Sequence, residues 1–262
     1  MKDDIFLSAV LFHGILEEQQ NDMEVLLMEI QELVELSPLR VFDESISGGL
    51  GRGNLGVLVS RHGVGKTACL VQLATDKLFK GEQVIHVSFS GNVEHVVNWY
   101  KEVFRELSDG KPIDDPSETY SSILANRVVM NFNQEMPIEK VLNSLETLID
   151  HGSFKADAVL FDGYRLTLAS ETDLNQIKAF VKKLNLEAWF AVSPEKSDTH
   201  IDEYGVPETV RKYMSQIDVL IGLIYDEKID KVIMNVVKNH GITIPKPTGV
   251  VLDPKTMLIA KA

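Results

Sequence analysis

Leu55-Gly56-Val57-Leu58-Val59 runs directly into Ser60-Arg61-His62-Gly63-Val64-Gly65-Lys66-Thr67, and the reading of these residues decides the fold of the chain. The first five suit a strand buried on both faces, and Leu70, Leu73, Ala74 and Leu78 recur afterwards at helical spacing. A strand, a glycine-bearing turn and a helix thus follow in the order that surrounds an anion with backbone N–H groups and the positive end of a helix dipole. Gly63 and Gly65 supply the freedom for a tight wrap, Lys66 is placed to reach the outer phosphates of a nucleotide, and the Thr67 hydroxyl to coordinate Mg²⁺. The pattern G-x-x-x-x-G-K-[ST] has Ser60 in place of its first glycine. Ser60, Arg61, His62, Gly63, Val64, Gly65, Lys66, Thr67 and Ala68 form the candidate nucleotide-binding segment. The competing explanation is an ordinary strand-to-helix turn that happens to hold Gly-Lys-Thr.

The chain has 262 residues, 44% of them hydrophobic, enough to bury a substantial core in one large domain or two small ones. Its formal charge is −13 and unevenly spread: residues 1–37 carry nine acidic side chains against Lys2, a net of −8 that leaves −5 for the remainder. A nearly balanced body behind an acidic leader lacks the basic footprint that binding a nucleic-acid backbone requires. A single cysteine, Cys69, allows no intramolecular disulfide and no cysteine-rich metal site, which favours a reducing cytosol. Its simplest role is that of a small buried apolar residue. Residues 5–16 form an apolar stretch of twelve, short of the roughly twenty that span a bilayer. Asp3 and Asp4 argue against a secretory signal, so the expectation is a cytoplasmic protein without membrane contact.

Residues 4–16 and about 21–36 read as helices of an acidic N-terminal extension over residues 1–37. In the second, Met23, Leu26, Leu27, Ile30, Leu33 and Val34 share one face, for packing on its own domain or, as the alternative, for a dimer or partner interface; packing on its own domain is preferred because no long heptad array is present. Residues 38–54 read as a glycine-rich loop opening the main domain, residues 38–262. Strands are predicted at Val84–Phe89, Arg127–Phe132, Ala158–Phe161, Trp189–Val192, Val219–Ile224 and Lys231–Val237, with a closing pair near Val250 and Met257–Ile259. Helices are predicted at Val93–Leu107, Pro137–Asp150, Leu174–Leu184 and Pro207–Gln216, and an exposed loop at Asp109–Thr119. This order implies an α/β layered domain whose sheet is parallel at its centre, with extra strands at the C-terminal edge.

Asp162 follows Ala158-Val159-Leu160-Phe161, so a central strand would deliver its carboxylate beside the loop, where it can hold Mg²⁺ together with Thr67. The plainer alternative is a strand-terminal aspartate capping a turn at Gly163. His62, His86, His95 and His200 show no metal-ligand spacing and read as structural or exposed; Glu195 and Asp198 could face a nucleotide, but a solvated loop is the preferred reading.

With these motifs in this order, the chain resembles the RecA-like ATPases, in the branch holding KaiC-like proteins and the hexameric replicative helicases, over roughly residues 38–260. In those helicases the first loop glycine is itself often a small residue followed by arginine, as in Ser60-Arg61. Val84-Ile85-His86-Val87-Ser88, Phe161-Asp162-Gly163-Tyr164-Arg165-Leu166 and Ala191-Val192-Ser193 match further motifs, and Lys238-Asn239-His240-Gly241, ahead of Pro247-Thr248-Gly249, resembles the family's K-x-R element. The resemblance implies a RecA-like three-layer α/β/α P-loop NTPase domain with a mainly parallel central sheet. It also implies ATP and Mg²⁺ as cofactors, Lys66 and Asp162 in catalysis, Lys238 and His240 at a nucleotide, and assembly into a homo-oligomer, a hexamer in the family.

Three positions depart from the family pattern. Ser90 stands where a glutamate polarises the attacking water, His240 where an arginine reaches into a neighbour's site, and Pro194 at the sensor glutamine. General-base help is worth about 10² to 10⁴ in rate and a trans arginine about 10³ to 10⁵. The expectation is therefore retained nucleotide binding with slow or partner-activated hydrolysis, unless Glu94 or another acid substitutes. Such a chain would serve as a nucleotide-dependent switch or assembly component with an unidentified protein partner. A DNA-dependent helicase or recombinase ranks lower, because Glu195–Tyr204, where helicases carry a basic channel loop, holds four acids and one lysine. A non-hydrolysing interaction scaffold is opposed by the intact Gly65-Lys66-Thr67.

Overall fold

Every residue of β1 (Leu55–Val59) is buried, because the strand lies inside a nine-stranded sheet with helices on both faces. The structure is a computed structural model that describes residues 23–262 other than 112, 153, 196, 197, 199, 244 and 245. The helix expected over residues 4–16 lies outside the described residues. In chain order the elements are α1 (residues 23–35), α2 (Leu39–Ser45), β1, α3 (Lys66–Phe79), β2 (Val84–Ser88), α4 (Val93–Ser108), α5 (Pro116–Leu124), β3 (Arg127–Asn131), α6 (Ile138–His151) and β4 (Ala158–Asp162). A 3₁₀ turn (Leu166–Leu168), α7 (Glu171–Lys183), β5 (Glu187–Val192), α8 (Glu208–Arg211), β6 (Val219–Asp226), β7 (Lys231–Asn239), β8 (Lys246–Leu252) and β9 (Ile259–Lys261) complete it.

The sheet runs in the order β3-β2-β4-β5-β1-β6-β7-β8-β9. Strands from β3 to β6 pair in parallel, and β6 through β9 continue as antiparallel hairpins at one edge, as the sequence order implied. Alternation along the strands sends Leu58, Leu160 and Trp189 to one face, against Phe42 of α2, Leu70 of α3, Val96 of α4 and Ile123 of α5. Val57, Val159, Phe161 and Phe190 point to the other, against Val141 of α6 and Ile177 of α7. Phe161 and Phe190 stack there with ring centroids 4.3 Å apart. Gly56 makes room for the Trp189 indole on the opposing face, since a Cβ at residue 56 would lie 2.5 Å from Trp189 Cε3.

Local signals set the helix starts. The Ser170 hydroxyl accepts from Asp173 N–H, and the Asp173 carboxylate from Ser170 N–H, a capping box that fixes α7. Asn92 caps α4 through Glu94 N–H.

Three expectations need correction. Residues 38–54 are not all loop: α2 forms because Leu39 and Phe42 are buried one turn apart, and only the segment after it holds left-handed glycines. The loop expected at Asp109–Thr119 gives way to α5 at Pro116, where Asp115 accepts from Ser117 and Glu118 N–H and proline occupies the first turn, a start signal that the local polarity obscured. The helix expected over Pro207–Gln216 stops at Arg211, and the bonds of Tyr213 and Met214 N–H to Val210 and Arg211 carbonyls tighten the rest into turns.

In α1 the shared apolar face is used only toward its C-terminal end. Leu33 is buried and Ile30 and Val34 pack on the main core, whereas Met23 and Leu27 are exposed. Glu29 ties the helix to α5 by accepting from Asp114 N–H at 2.7 Å and the Thr119 hydroxyl at 3.4 Å. Among the described residues, no helix is long and apolar enough to cross a membrane.

Candidate functional site

Parallel register brings the carboxyl ends of β1, β5 and β4 level, with Val59 opposite Val192 and Ala191 opposite Asp162. The chain leaves β1 through Ser60–Gly65 into α3, while β4 delivers Asp162 two strands away, roughly 10 Å along the sheet. The first turn of α3 spans that gap. Thr67 Oγ1 lies 3.0 Å and 3.2 Å from the two carboxylate oxygens of Asp162.

Gly65 caps α3 in a left-handed conformation, φ 107°. A Cβ at this residue would stand 2.3 Å from Leu252 Cδ2 of β8, so both the backbone angle and the packing demand glycine. Lys66, Thr67 and Ala68 open the helix, and their N–H groups, with that of Gly65, have no acceptor in the protein among the described residues. Four donors therefore converge where the helix dipole is positive.

Lys66 folds back over the loop. Its Nζ donates to the Ser60 carbonyl at 2.9 Å, the Arg61 carbonyl at 2.8 Å and Ser60 Oγ at 3.2 Å. This explains why Ser60 serves in place of glycine. Ser60 does not have a positive φ, so glycine's freedom is not needed there, and its hydroxyl adds an acceptor for the lysine. Burial pulls the Lys66 ammonium down to about 8, against the opposing pull of Asp162. Burial likewise raises Asp162, and the Thr67 hydroxyl and the Lys66 charge oppose that shift. Cys69, one turn on, is fully buried and its thiol is pushed up to about 12 by burial, so it is an inert packing residue.

These groups line a cleft of about 540 Å³ at the carboxyl rim of the sheet, the place where ligands sit in open parallel sheets. Of the loop residues, His62, Gly63, Gly65, Lys66, Thr67 and Ala68 reach its surface. Ser60 and Arg61 act through their carbonyls on Lys66, and Val64 packs on the core. Ser193, Pro194 and Glu195 line the opposite wall. Glu195 is thus no solvated loop residue: its carboxylate takes both Nε and Nη2 of Arg165 at 3.0 Å, which holds its pKa below the usual carboxylate range. His62, part of the candidate segment, and His95 also line the cleft; both are exposed as expected, and the sequence assigned His95 no site role. Buried His86 keeps the structural role, its Nδ1 3.1 Å from the Tyr100 hydroxyl.

Lys238 and His240 are not brought to this cleft. β7 runs antiparallel to β6, so Lys238 faces Leu220 and Asn239 faces Val219, at the level of Gly56 and hence at the amino rim of the sheet. Lys238 Nζ donates to the carbonyls of Met214 and Ile217, and His240 Nε2 to the Gly49 carbonyl at 3.1 Å. Neither therefore touches the cleft of its own chain, and the expectation that they reach a nucleotide concerns a neighbouring copy. Glu94 is exposed and does not line the cleft, and Ser90 bonds to Ser88 Oγ in a neighbouring depression. Among the described residues, the carboxylates that do line the cleft are Asp162 and Glu195, engaged by Thr67 and Arg165 respectively.

Sequence reasoning missed His95 and Trp99 of α4, Gln134, Tyr164, Arg165 as a cleft residue, and Met257. All but Met257 follow the carboxyl ends of β2, β3 or β4, and that position was the available signal. Met257 carried none, because it arrives from the antiparallel edge, held to α3 by the Gln72 amide at 2.6 Å. Comparison with protein-family models and with curated protein sequences gives no match.

Chemically, the arrangement suits an anion of several charges accompanied by a hard cation. Free N–H groups and Lys66 match phosphate oxygens. Thr67 and Asp162 offer two oxygens to Mg²⁺, which takes few protein ligands and completes its shell with phosphate and water. Among the described residues, no three His, Cys, Asp or Glu side chains cluster as a self-sufficient metal site.

Proposed function

We propose that this chain is an ATP-binding protein of the RecA/KaiC-like class, built on a RecA-like P-loop NTPase domain. It acts as a cytoplasmic nucleotide-dependent switch or assembly component, with slow or partner-activated hydrolysis. The observation that carries the reading is the placement of Thr67 Oγ1 within 3.2 Å of both Asp162 oxygens at the open end of α3, beside a buried lysine. A strand-to-helix turn holding Gly-Lys-Thr by chance has no reason to meet a strand-terminal carboxylate from two strands away.

In this reading Ser60 and Arg61 position Lys66, the N–H groups of Gly65 through Ala68 hold phosphate oxygens, and Thr67 with Asp162 holds Mg²⁺. A bound Mg²⁺ would neutralise phosphate charge. Slow turnover follows from the absence, among the described residues, of an uncommitted carboxylate in the cleft to polarise water. A homo-oligomer belongs to the same proposal by resemblance, hexameric in the family, and His240 would then act on a neighbour's nucleotide. The acidic Glu195–Tyr204 segment weighs against a nucleic-acid motor.

The test is calorimetric titration of purified protein with ATP, with and without Mg²⁺, alongside its oligomeric mass and phosphate release. Asp162→Asn is expected to remove most of the Mg²⁺ dependence and lower Mg²⁺-ATP affinity by about tenfold or more, since one charged contact contributes about 1.5–3 kcal/mol. Equal Mg²⁺ dependence in the mutant and the parent would refute the metal assignment. Tight binding with no turnover would make the protein a binding module rather than an enzyme.

Affinity is also expected to depend on pH. The Lys66 ammonium has a depressed pKa of about 8 in the free site, and an anion raises it, so binding above pH 8 must take up a proton. ATP affinity should therefore be nearly level from pH 7 to 8 and fall by up to about tenfold per pH unit above that. A level profile to pH 10 would show that the ammonium is not at the phosphates.

A further inference from the structure

We propose that Arg165 is a terminal-phosphate sensor held in reserve by Glu195, so that the cleft tells a nucleoside triphosphate from a diphosphate by an exchange of the arginine's partner. The inference rests on the nucleotide-site reading above. Arg165 follows β4 three residues beyond Asp162, and Glu195 follows β5 three residues beyond Val192, so two adjacent parallel strands deliver both side chains to one rim. Both line the cleft that contains Lys66 and Thr67, and among the described residues Arg165 is the only arginine that does.

The two partners are held unequally. Glu195 has further attachments: its carboxylate lies 3.4 Å from the Thr167 hydroxyl, and its N–H donates to Asp198 Oδ2 at 2.7 Å. The Arg165 guanidinium is half-exposed and bonds among the described residues to Glu195 alone. The guanidinium can therefore leave while the carboxylate stays.

A phosphate group presents the same two-oxygen edge to the planar fork as a carboxylate, with more negative charge on a terminal phosphate than on Glu195. Lys66 reaches the phosphates from the loop side, anchored beside Ser60 and Arg61, which leaves Arg165 as the second strong cation in the cleft, placed to answer a third phosphate from the other wall. A diphosphate ends one phosphate short, and Arg165 then stays with Glu195.

The experiment titrates Mg²⁺-ATP and Mg²⁺-ADP separately into the parent protein, Arg165→Ala, Glu195→Gln, the double variant and Lys66→Ala. Arg165→Ala is expected to lose about tenfold in ATP affinity, the worth of one charge-assisted pair, with ADP affinity within about twofold of the parent. Retained ADP binding shows that the variant is folded. Glu195→Gln releases the guanidinium and should raise ATP affinity by up to about fivefold, the worth of an exposed ion pair, and that gain should vanish in the double variant. An unchanged ATP-to-ADP ratio in Arg165→Ala, or a gain in Glu195→Gln that survives the loss of Arg165, overturns the sensor while leaving the nucleotide site in place. A parent protein that binds neither nucleotide, or a Lys66→Ala variant that binds both as well as the parent, instead overturns the site and the sensor with it.

Discussion

Lys66→Ala is expected to lower Mg²⁺-ATP affinity by at least about a hundredfold. The side chain provides the one buried ammonium in the cleft among the described residues, and each hydrogen bond from a charged donor to an anion contributes about 1.5–3 kcal/mol, with about 1.4 kcal/mol equal to a factor of ten. Two such contacts to phosphate oxygens give the hundredfold figure. Stability should change little. The ammonium is already penalised by burial, as its depressed pKa indicates, and relief of that penalty offsets the loss of its bonds to the carbonyls of Ser60 and Arg61. The linkage has a definite sign: a lysine with a folded pKa near 8 costs stability at neutral pH, and that cost fades as pH rises from about 8 toward the unfolded value. Calorimetric titration beside thermal unfolding separates the two quantities. Undiminished ATP affinity in a folded Lys66→Ala protein would sink the nucleotide reading.

Gly65→Ala should be the most damaging single methyl addition in the loop. A left-handed residue other than glycine costs about 1–2 kcal/mol, and forcing a Cβ to within 2.3 Å of Leu252 Cδ2 adds an overpacking penalty of about 1–3 kcal/mol. The expected destabilisation is therefore about 2–5 kcal/mol by urea unfolding. ATP binding should fail with it, because the displaced residue opens α3. Gly63→Ala provides the contrast: φ is 80° but no atom lies within 4 Å of the added carbon, so only the backbone penalty applies. Equal effects at the two positions would show that the contact between β8 and the loop is unimportant. The same contact makes the C-terminal edge of the sheet a wall of the candidate site, a role the sequence of Leu252 and Met257 did not announce.

The legible parts of this molecule are those whose cause is local. Leu55–Val59 reads as a buried strand because all five residues are apolar or glycine, and α3 reads as a helix because its apolar residues recur at helical spacing. Asp162 was found because it ends an apolar strand. α2 and α5 escaped notice because each is short, and their glycine- or proline-rich surroundings outweighed the few residues each buries, Leu39 and Phe42 in α2 and Thr119 and Ile123 in α5. The position of Lys238 and His240 had a different cause: a motif match carries residue order but not the strand direction that sends this segment to the amino rim, away from the cleft of its own chain.

By itself, the sequence determined the alternation of strands and helices, the loop with its lysine and threonine, and the strand-terminal aspartate, since all of these depend on neighbours within a few residues. Only the tertiary structure decided that Thr67 meets Asp162, that Ser60 supports Lys66, and that Arg165 pairs with Glu195 at the rim of the cleft. It also decided that Ser90 and Glu94 stay out of the cleft. The first and last of those pairings are set by strand order and register, which join residues 95 and 30 positions apart through hydrogen-bonded pairing and helix packing that no local pattern encodes, and the fold of the loop decides the contact between Ser60 and Lys66.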